Sequence, residues 1–232
     1  MGKRRIVLWA ITVIALGALG LSATGAGAMP SCDGLTATIT GSGVINGTPG
    51  DDVIVGSSGA DVIRGGGGSD VICGRGGADD IRAGNTAGPT RIFGGAGNDL
   101  LVGGPDADVI HGGAGNDIVD DTGGDDIIRG GAGSDALNAG PGNDQVWGGR
   151  GNDGVNAGEG DDIVRGGRGN DWLVGDHPVT GPNGNDQLFG GRGDDRLVGT
   201  WDVTLGADND LCNGGQGTDT ADATCEAVVQ VP

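Results

Sequence analysis

Aspartate is the residue with chemistry to perform in this chain, and its spacing is regular. Asp52, Asp61, Asp70 and Asp79 fall nine residues apart. Asp99, Asp108, Asp117, Asp126, Asp135, Asp144, Asp153, Asp162 and Asp171 resume the same step, and Asp186 and Asp195 continue it after a short insert. One such residue among glycines reads as a turn former that hydrogen-bonds its own backbone. Fifteen in phase read as rows of oxygen ligands for a hard cation. Catalytic chemistry has no comparable footing. The sequence contains no His-Glu-x-x-His and no Gly-x-Ser-x-Gly, and every cysteine has an expected partner. No catalytic residue and no enzyme activity are predicted. Evenly spaced carboxylates superficially suggest a glycosidase pair, but aspartates committed as stacked ligands are unavailable as acid or base.

The elements that position these aspartates follow from a nine-residue unit, Gly-Gly-x-Gly-x-Asp-x-(apolar)-x, whose places we number one to nine. Gly94-Gly95-Ala96-Gly97-Asn98-Asp99-Leu100-Leu101-Val102 shows it whole. Glycines at places one, two and four allow a tight turn of positive φ and bare backbone. The aliphatic residue at place eight, such as Ile54, Ile63, Ile72, Ile110, Val119, Ile128 or Leu137, recurs in every unit and reads as a short strand with one buried face. Two units make one coil of a parallel solenoid, and coils stacked at ~4.8 Å bring residues eighteen apart over one another. Asp99, Asp117, Asp135, Asp153 and Asp171 then line one edge, while Asp108, Asp126, Asp144 and Asp162 line the other. Neighbouring bare carboxylates ~5 Å apart repel by roughly 1 to 3 kcal/mol, depending on the dielectric. Calcium, with oxygen ligands at about 2.3 to 2.6 Å, fits between them better than magnesium, whose bonds are shorter and octahedron stricter. The aspartates at place five, Asp51, Asp125, Asp161 and Asp194, are replaced in other units and read as surface charge.

The register breaks in three places. Ala83 and Gly84 are extra and Thr90 stands where an aspartate belongs, so a weak or empty site is expected there. Gly175 to Thr180 and Gly199 to Thr204 read as six-residue loops that leave the strands in register, carrying His177, Trp201 and Asp202. Residues 29–46 form an N-terminal cap, 47–222 the repeat region and 223–232 a C-terminal tail. His111 is expected to face solvent, and the arginines at places nine and three to relieve negative charge. Trp147, Trp172 and Trp201 are candidate stacking residues for a glycan, a partner that the sequence does not identify.

Residues 1–28 read as an export signal: Lys3, Arg4 and Arg5, an apolar stretch from Ile6 to Leu21, then Ala26-Gly27-Ala28 before a mature start near Met29. An uncleaved anchor is the competing reading, and the route, general or twin-arginine, stays open. The expected location is extracellular, without stable membrane insertion once the signal is removed. Loss of the three basic residues of the signal leaves ten basic against 32 acidic residues, a charge of −22 with no lysine. Such a chain repels nucleic acid and anionic membranes. Glycine supplies 56 of 232 residues, without the third-position spacing or the proline of collagen. Four cysteines in an exported chain imply two disulfides; three pairings exist, and position favours Cys32 with Cys73 and Cys212 with Cys225 over a metal-thiolate site.

Over residues 47 to 198, with weaker copies at Gly206 to Asn213 and Gly214 to Asp222, the nonapeptide resembles the calcium-binding repeats of the RTX (repeats-in-toxin, haemolysin-type) family. The resemblance implies an all-β, right-handed parallel β-roll. It implies multiple Ca2+ ions between successive turns, held by the place-six aspartates named above and by turn carbonyls such as those of Gly95 and Gly97. The expected function is a secreted calcium-binding protein whose roll folds on binding calcium. The alternative is an extracellular adhesin or matrix protein that uses the roll as a calcium-rigidified spacer.

Overall fold

The computed structural model describes residues 30–84, 88–176, 184–200, 209–222 and 224–230. Residues 1–29, which include the expected export signal, and His177, Trp201 and Asp202 lie outside them. The described chain is all-β: a β-solenoid with two parallel sheets of ten and eleven strands, in which each strand pairs with the second strand before and after it in sequence. Successive strands therefore alternate between the sheets, and two nonapeptides close one coil.

The place-eight residues hold the coils together. Ile54, Ile63, Ile72, Ile81, Ile92, Leu101, Ile110 and Ile128 are fully buried, and the same column runs on to Leu197 and Cys212. Pairing is eighteen residues apart through the middle, as in Leu101 with Val119 and Ile110 with Ile128. It widens to twenty at Ile72 with Ile92 and to twenty-four at Leu173 with Leu197. A one-residue slip would turn the aliphatic column out to solvent, so each insertion is absorbed in a turn and the strands keep their register.

The two sides of a coil differ. Strands of the ten-stranded sheet are mostly short, such as Leu100–Val102 and Ile118–Asp120. Those of the eleven-stranded sheet continue through places one to three, as in Val109–Ala114 and Ile127–Ala132. Glycine is required where pairing runs through the turn: Gly113 has φ 118°, and a methyl group there would lie 2.1 Å from the Gly95 carbonyl oxygen. Arg75 takes the same place with φ 84°.

The insertions enter later than the sequence suggests. Ala83 and Gly84, read above as extra, hold places one and two, since Gly65 and Gly66 donate to the carbonyls of Arg82 and Ala83. The surplus falls between Gly84 and Gly88, in residues outside those described. Likewise Gly175 and Asp176 stay in the coil, in the strand Trp172–Asp176, and Gly199 and Thr200 in Arg196–Thr200. All three insertions follow place two, and all three lie on the edge that follows the ten-stranded sheet.

At the N-terminus, an antiparallel pair, Ser31–Cys32 with Leu35–Thr36, packs Cys32 and Ala37 against Val55 and Val71, and Cys32 is bonded to Cys73. At the other end Cys212 is bonded to Cys225, which opens the last strand of the eleven-stranded sheet, Cys225–Gln230. His111 does not simply face solvent. It is half-buried in an outward column, 5.1 Å from the Phe93 ring and 3.2 Å from Arg129. Burial and then the Arg129 charge hold its pKa down. Among the described residues Arg82 pairs with Asp80 and Arg91 with Asp33, while Arg129 and Arg165 stack on rings.

Candidate metal centre

Turn and strand together place the aspartates. A turn of glycines at places one to four delivers place six to the start of a strand, where the chain passes inward beneath the next coil. All fifteen predicted aspartates, Asp52 through Asp195, are buried. They form two ladders. Along the edge that follows the eleven-stranded sheet, Asp61, Asp79, Asp99, Asp117, Asp135, Asp153, Asp171 and Asp195 stand in sequence. The backbone N–H of each donates to Oδ1 of the next, for example Asp99 to Asp117 at 2.9 Å and Asp171 to Asp195 at 2.8 Å. The other edge runs Asp52, Asp70, Thr90, Asp108, Asp126, Asp144, Asp162 and Asp186 with the same bonding wherever a carboxylate is present.

Two ladder members are missing from the predicted set. Asp210 is buried and its Oδ1 accepts from the Asp186 N–H at 2.9 Å, while Asp219 accepts from Asp195 at 3.0 Å. Both follow a place-five residue and precede an apolar or strand residue two positions on, a signal that was present but blurred by the insertion before Asp210. The place-five aspartates Asp51, Asp125, Asp161 and Asp194 are exposed, as expected, but place five does more than carry charge. Its side chains form an outer ladder of opposite sense, in which Asp125 accepts from the Asn143 N–H, Asp161 from Asn185 and Asp194 from Thr218. These side chains join coils, and are not merely surface charge.

With Oδ1 engaged, Oδ2 is the informative atom. In Asp52, Asp61 and Asp108 it accepts from a backbone N–H four residues earlier, at Thr48, Ser57 and Gly104. That is local turn bonding. In Asp70, Asp79, Asp99, Asp117, Asp135, Asp144, Asp153, Asp162, Asp171 and Asp195 the buried Oδ2 meets no hydrogen-bond donor. A buried carboxylate oxygen without a donor is costly. All but Asp144 and Asp162, which have Ala139 and Ala157 at place one, point toward the place-one glycine of their own turn: a methyl group on Gly112 would lie 2.4 Å from Asp117 Oδ2 and 2.6 Å from the Gly130 carbonyl oxygen of the next coil. Gly94, Gly130 and Gly148 repeat the arrangement. These are cradles of converging oxygens that only glycine leaves open. The carbonyls of Gly95 and Gly97 face Gly113 and Gly115 of the next coil, whereas the one that shares a cradle with Asp99 Oδ2 belongs to Gly112.

Electrostatics carry the same message. Asp117 and Asp153 are pushed up to about 7 by burial and then by the flanking ladder carboxylates, against the lowering effect of the backbone N–H bond. Asp79 and Asp195 rise to about 6 for the same reasons, and Asp162 to about 9. A positive charge between the rungs would reverse the cause. Among the described residues no three His, Cys, Asp or Glu side chains converge to hold a metal. A cation in a cradle therefore draws much of its shell from backbone oxygens. Oxygen donors alone, carboxylate and carbonyl, suit calcium or magnesium rather than a soft metal, and the residues present fit calcium.

The edges are not equivalent. On the edge that begins with Asp61, place one is glycine throughout, from Gly56, Gly74 and Gly94 to Gly190 and Gly214. On the other edge Gly47, Gly65, Gly103, Gly175 and Gly199 keep glycine at place one, but Ala83 beside Thr90, Asp121, Ala139 and Ala157 replace it, all four buried. The Asp121 side chain fills the space at Gly103, where a methyl would meet its Oδ2 at 2.4 Å. Burial, then Asp126 and Asp108, pushes its carboxyl up to about 9.

A family model described as the RTX calcium-binding nonapeptide repeat (4 copies) matches residues 46–81, 85–119, 120–155, 155–176, 179–202 and 203–221. No curated protein matches the chain.

Proposed function

Because the chain belongs to the RTX calcium-binding nonapeptide repeat family and forms a calcium-binding β-roll, we propose that it is an exported protein whose roll folds when several calcium ions enter the cradles of its all-glycine edge. The observation that carries this reading is the row of buried Oδ2 atoms without donors, which at Asp79, Asp99, Asp117, Asp135, Asp153 and Asp195 share a cradle with a place-one carbonyl oxygen of the next coil. Asp79, Asp99, Asp117, Asp135, Asp153, Asp171 and Asp195 supply the carboxylates, and the place-one glycines from Gly94 onward supply carbonyls. Asp52 and Asp61 contribute less, since Thr48 and Ser57 already satisfy their second oxygens. Thr90 brings no carboxylate to its rung, and Ala139 and Ala157 place methyl groups in theirs, so the opposite edge holds fewer ions.

Export supports the switch. The Lys-Arg-Arg start, apolar run and Ala-Gly-Ala of residues 1–28 suit a signal, and two disulfides suit an oxidising compartment. Extracellular modules bind calcium at ~10⁻⁴ to 10⁻³ M, so the chain stays unfolded inside the cell and becomes rigid outside. The test is far-UV circular dichroism of the purified, oxidised protein titrated with calcium and, separately, magnesium. A cooperative gain of β-structure near millimolar calcium, absent with magnesium, is expected; no transition would overturn the reading.

The adhesin reading keeps one support of its own. Every insertion enters after place two on the edge with fewer open cradles, so residues not needed for the roll are gathered on one side. Solenoid faces of this kind are where partners dock. Deleting 177–182 and 201–206 together, six residues each so that the eighteen-residue pairing is restored, separates the readings: calcium-driven folding survives in both, and surface attachment is lost only in the adhesin.

A further inference from the structure

Three arginines repeat the problem of the aspartate ladders with the sign reversed. Arg150, Arg168 and Arg192 occupy place three of consecutive coils and are paired in register along the eleven-stranded sheet. Their backbones therefore lie one strand spacing apart, ~4.8 Å. All three are exposed, and neither ion pair among the described residues involves them. Place five in these coils is Asn152, Asn170 and Asp194, whose Oδ1 atoms accept backbone N–H groups from the next coil, so only the coil of Arg192 carries a place-five carboxylate. Like charges on neighbouring strands repel only weakly in a water-like dielectric. That is too little to disturb the fold, but it leaves a row of unneutralised guanidinium groups on a strongly acidic protein.

Beside this row runs an open groove of about 750 Å³ whose floor is the bare backbone of the place-two glycines, Gly149, Gly167 and Gly191 among them. The fold alone explains the floor, because a methyl on Gly167 would sit 2.3 Å from the Gly149 carbonyl oxygen. It does not explain the arginines. Two residues before each floor glycine, on the same outward side of the strand, stands a second column in which cations and rings alternate. Arg129 lies 4.5 Å over the Trp147 ring, and Arg165 lies 5.8 Å from Trp147 and 5.1 Å from Phe189. Those rings are already stacked by Arg129 and Arg165 and do not line the groove, whose lining is the glycine floor and the place-three arginines, so the groove matches a single linear polymer that carries acidic groups along its length. The forks grip carboxylate or sulfate in bidentate fashion. Duplex nucleic acid fits less well, since its charge recurs every ~1.7 Å across two strands and would press against the surrounding aspartates.

The geometry points to an acidic polysaccharide lying in this groove along the solenoid axis, with its carboxylate or sulfate groups on Arg150, Arg168 and Arg192. The site is separate from the calcium cradles and needs them only for a folded roll. The experiment is affinity electrophoresis of the full chain in saturating calcium through gels containing dextran sulfate, plain dextran of the same length, or single-stranded oligo-dT. Retardation by dextran sulfate alone is expected, weakened at least tenfold in R150Q/R168Q/R192Q and less in R168Q, with the circular dichroism spectrum of each variant unchanged. Equal retardation of wild type and R168Q together with the triple variant would overturn the site, as would no retardation of wild type. Equal retention by oligo-dT, lost in the same variants, would overturn the polysaccharide in favour of a general anion strip.

Discussion

A place-six aspartate does two jobs with its two oxygens. Oδ1 accepts a backbone N–H from the coil before it and so ties coils together, while Oδ2 either closes its own turn, as in Asp52, or faces an open cradle, as in Asp117. The sequence shows that these residues share a spacing but not that they divide into two kinds, because the division depends on what place two of the same turn donates. The difference is testable. Asp117→Asn removes a charge from an open cradle and is expected to raise the calcium midpoint for folding by about tenfold, equivalent to ~1.4 kcal/mol. Asp52→Asn, whose second oxygen is already satisfied by Thr48, is expected to move it little. Isothermal titration calorimetry and calcium-dependent circular dichroism measure both, and equal shifts would remove the distinction.

At the scale of the turn, glycine at place one matters more on one edge than on the other. After the eleven-stranded sheet, pairing continues through the turn, as in Gly113 with Gly131, so the backbone around place one cannot yield. After most strands of the ten-stranded sheet it stops at place nine, and alanine is accommodated at 139 and 157. Gly112→Ala, with its methyl 2.4 Å from Asp117 Oδ2 and 2.6 Å from the Gly130 carbonyl, is therefore expected to destabilise the calcium-saturated protein by about 1 to 3 kcal/mol. A thermal melt in excess calcium reads this, and an unchanged midpoint would show that the turn relaxes. The strands themselves were legible from the place-eight aliphatics. The entry points of the insertions were not, because Ala83, Gly175 and Gly199 could be assigned to places only once their hydrogen bonds and neighbours across the coil were visible.

In the whole molecule, stacked carboxylates make the metal-free roll sensitive to pH. Folded-state pKa values are raised above the ordinary aspartate value, so their contribution to stability is full below that value and is lost as pH rises through the folded one. That loss runs through about 6 for Asp79, Asp144 and Asp195, about 7 for Asp117, Asp126 and Asp153, and about 9 for Asp121 and Asp162. In chelator, the protein is expected to show more β-structure near pH 4 than near pH 8. Saturating calcium should abolish the loss at neutral pH. Circular dichroism across this range decides it, and a metal-free roll equally folded at both ends would mean that the ladder charges are already neutralised by the protein.

Sequence alone determined the solenoid, its core and both ladders as far as Asp195, because a covalent step of nine with one aliphatic per step permits only one stacking that buries every aliphatic. It did not determine Asp210 and Asp219, because the last insertion hides that step. Position in the chain favoured Cys32 with Cys73 and Cys212 with Cys225 among three possible pairings, and both bonds are present. Only the tertiary structure decided which oxygen of each aspartate is left over, which edge keeps its cradles open and which arginines align without partners. Those properties arise from contacts between residues eighteen to twenty-four positions apart on neighbouring coils, and they depend on whether backbone pairing continues through a turn or stops before it.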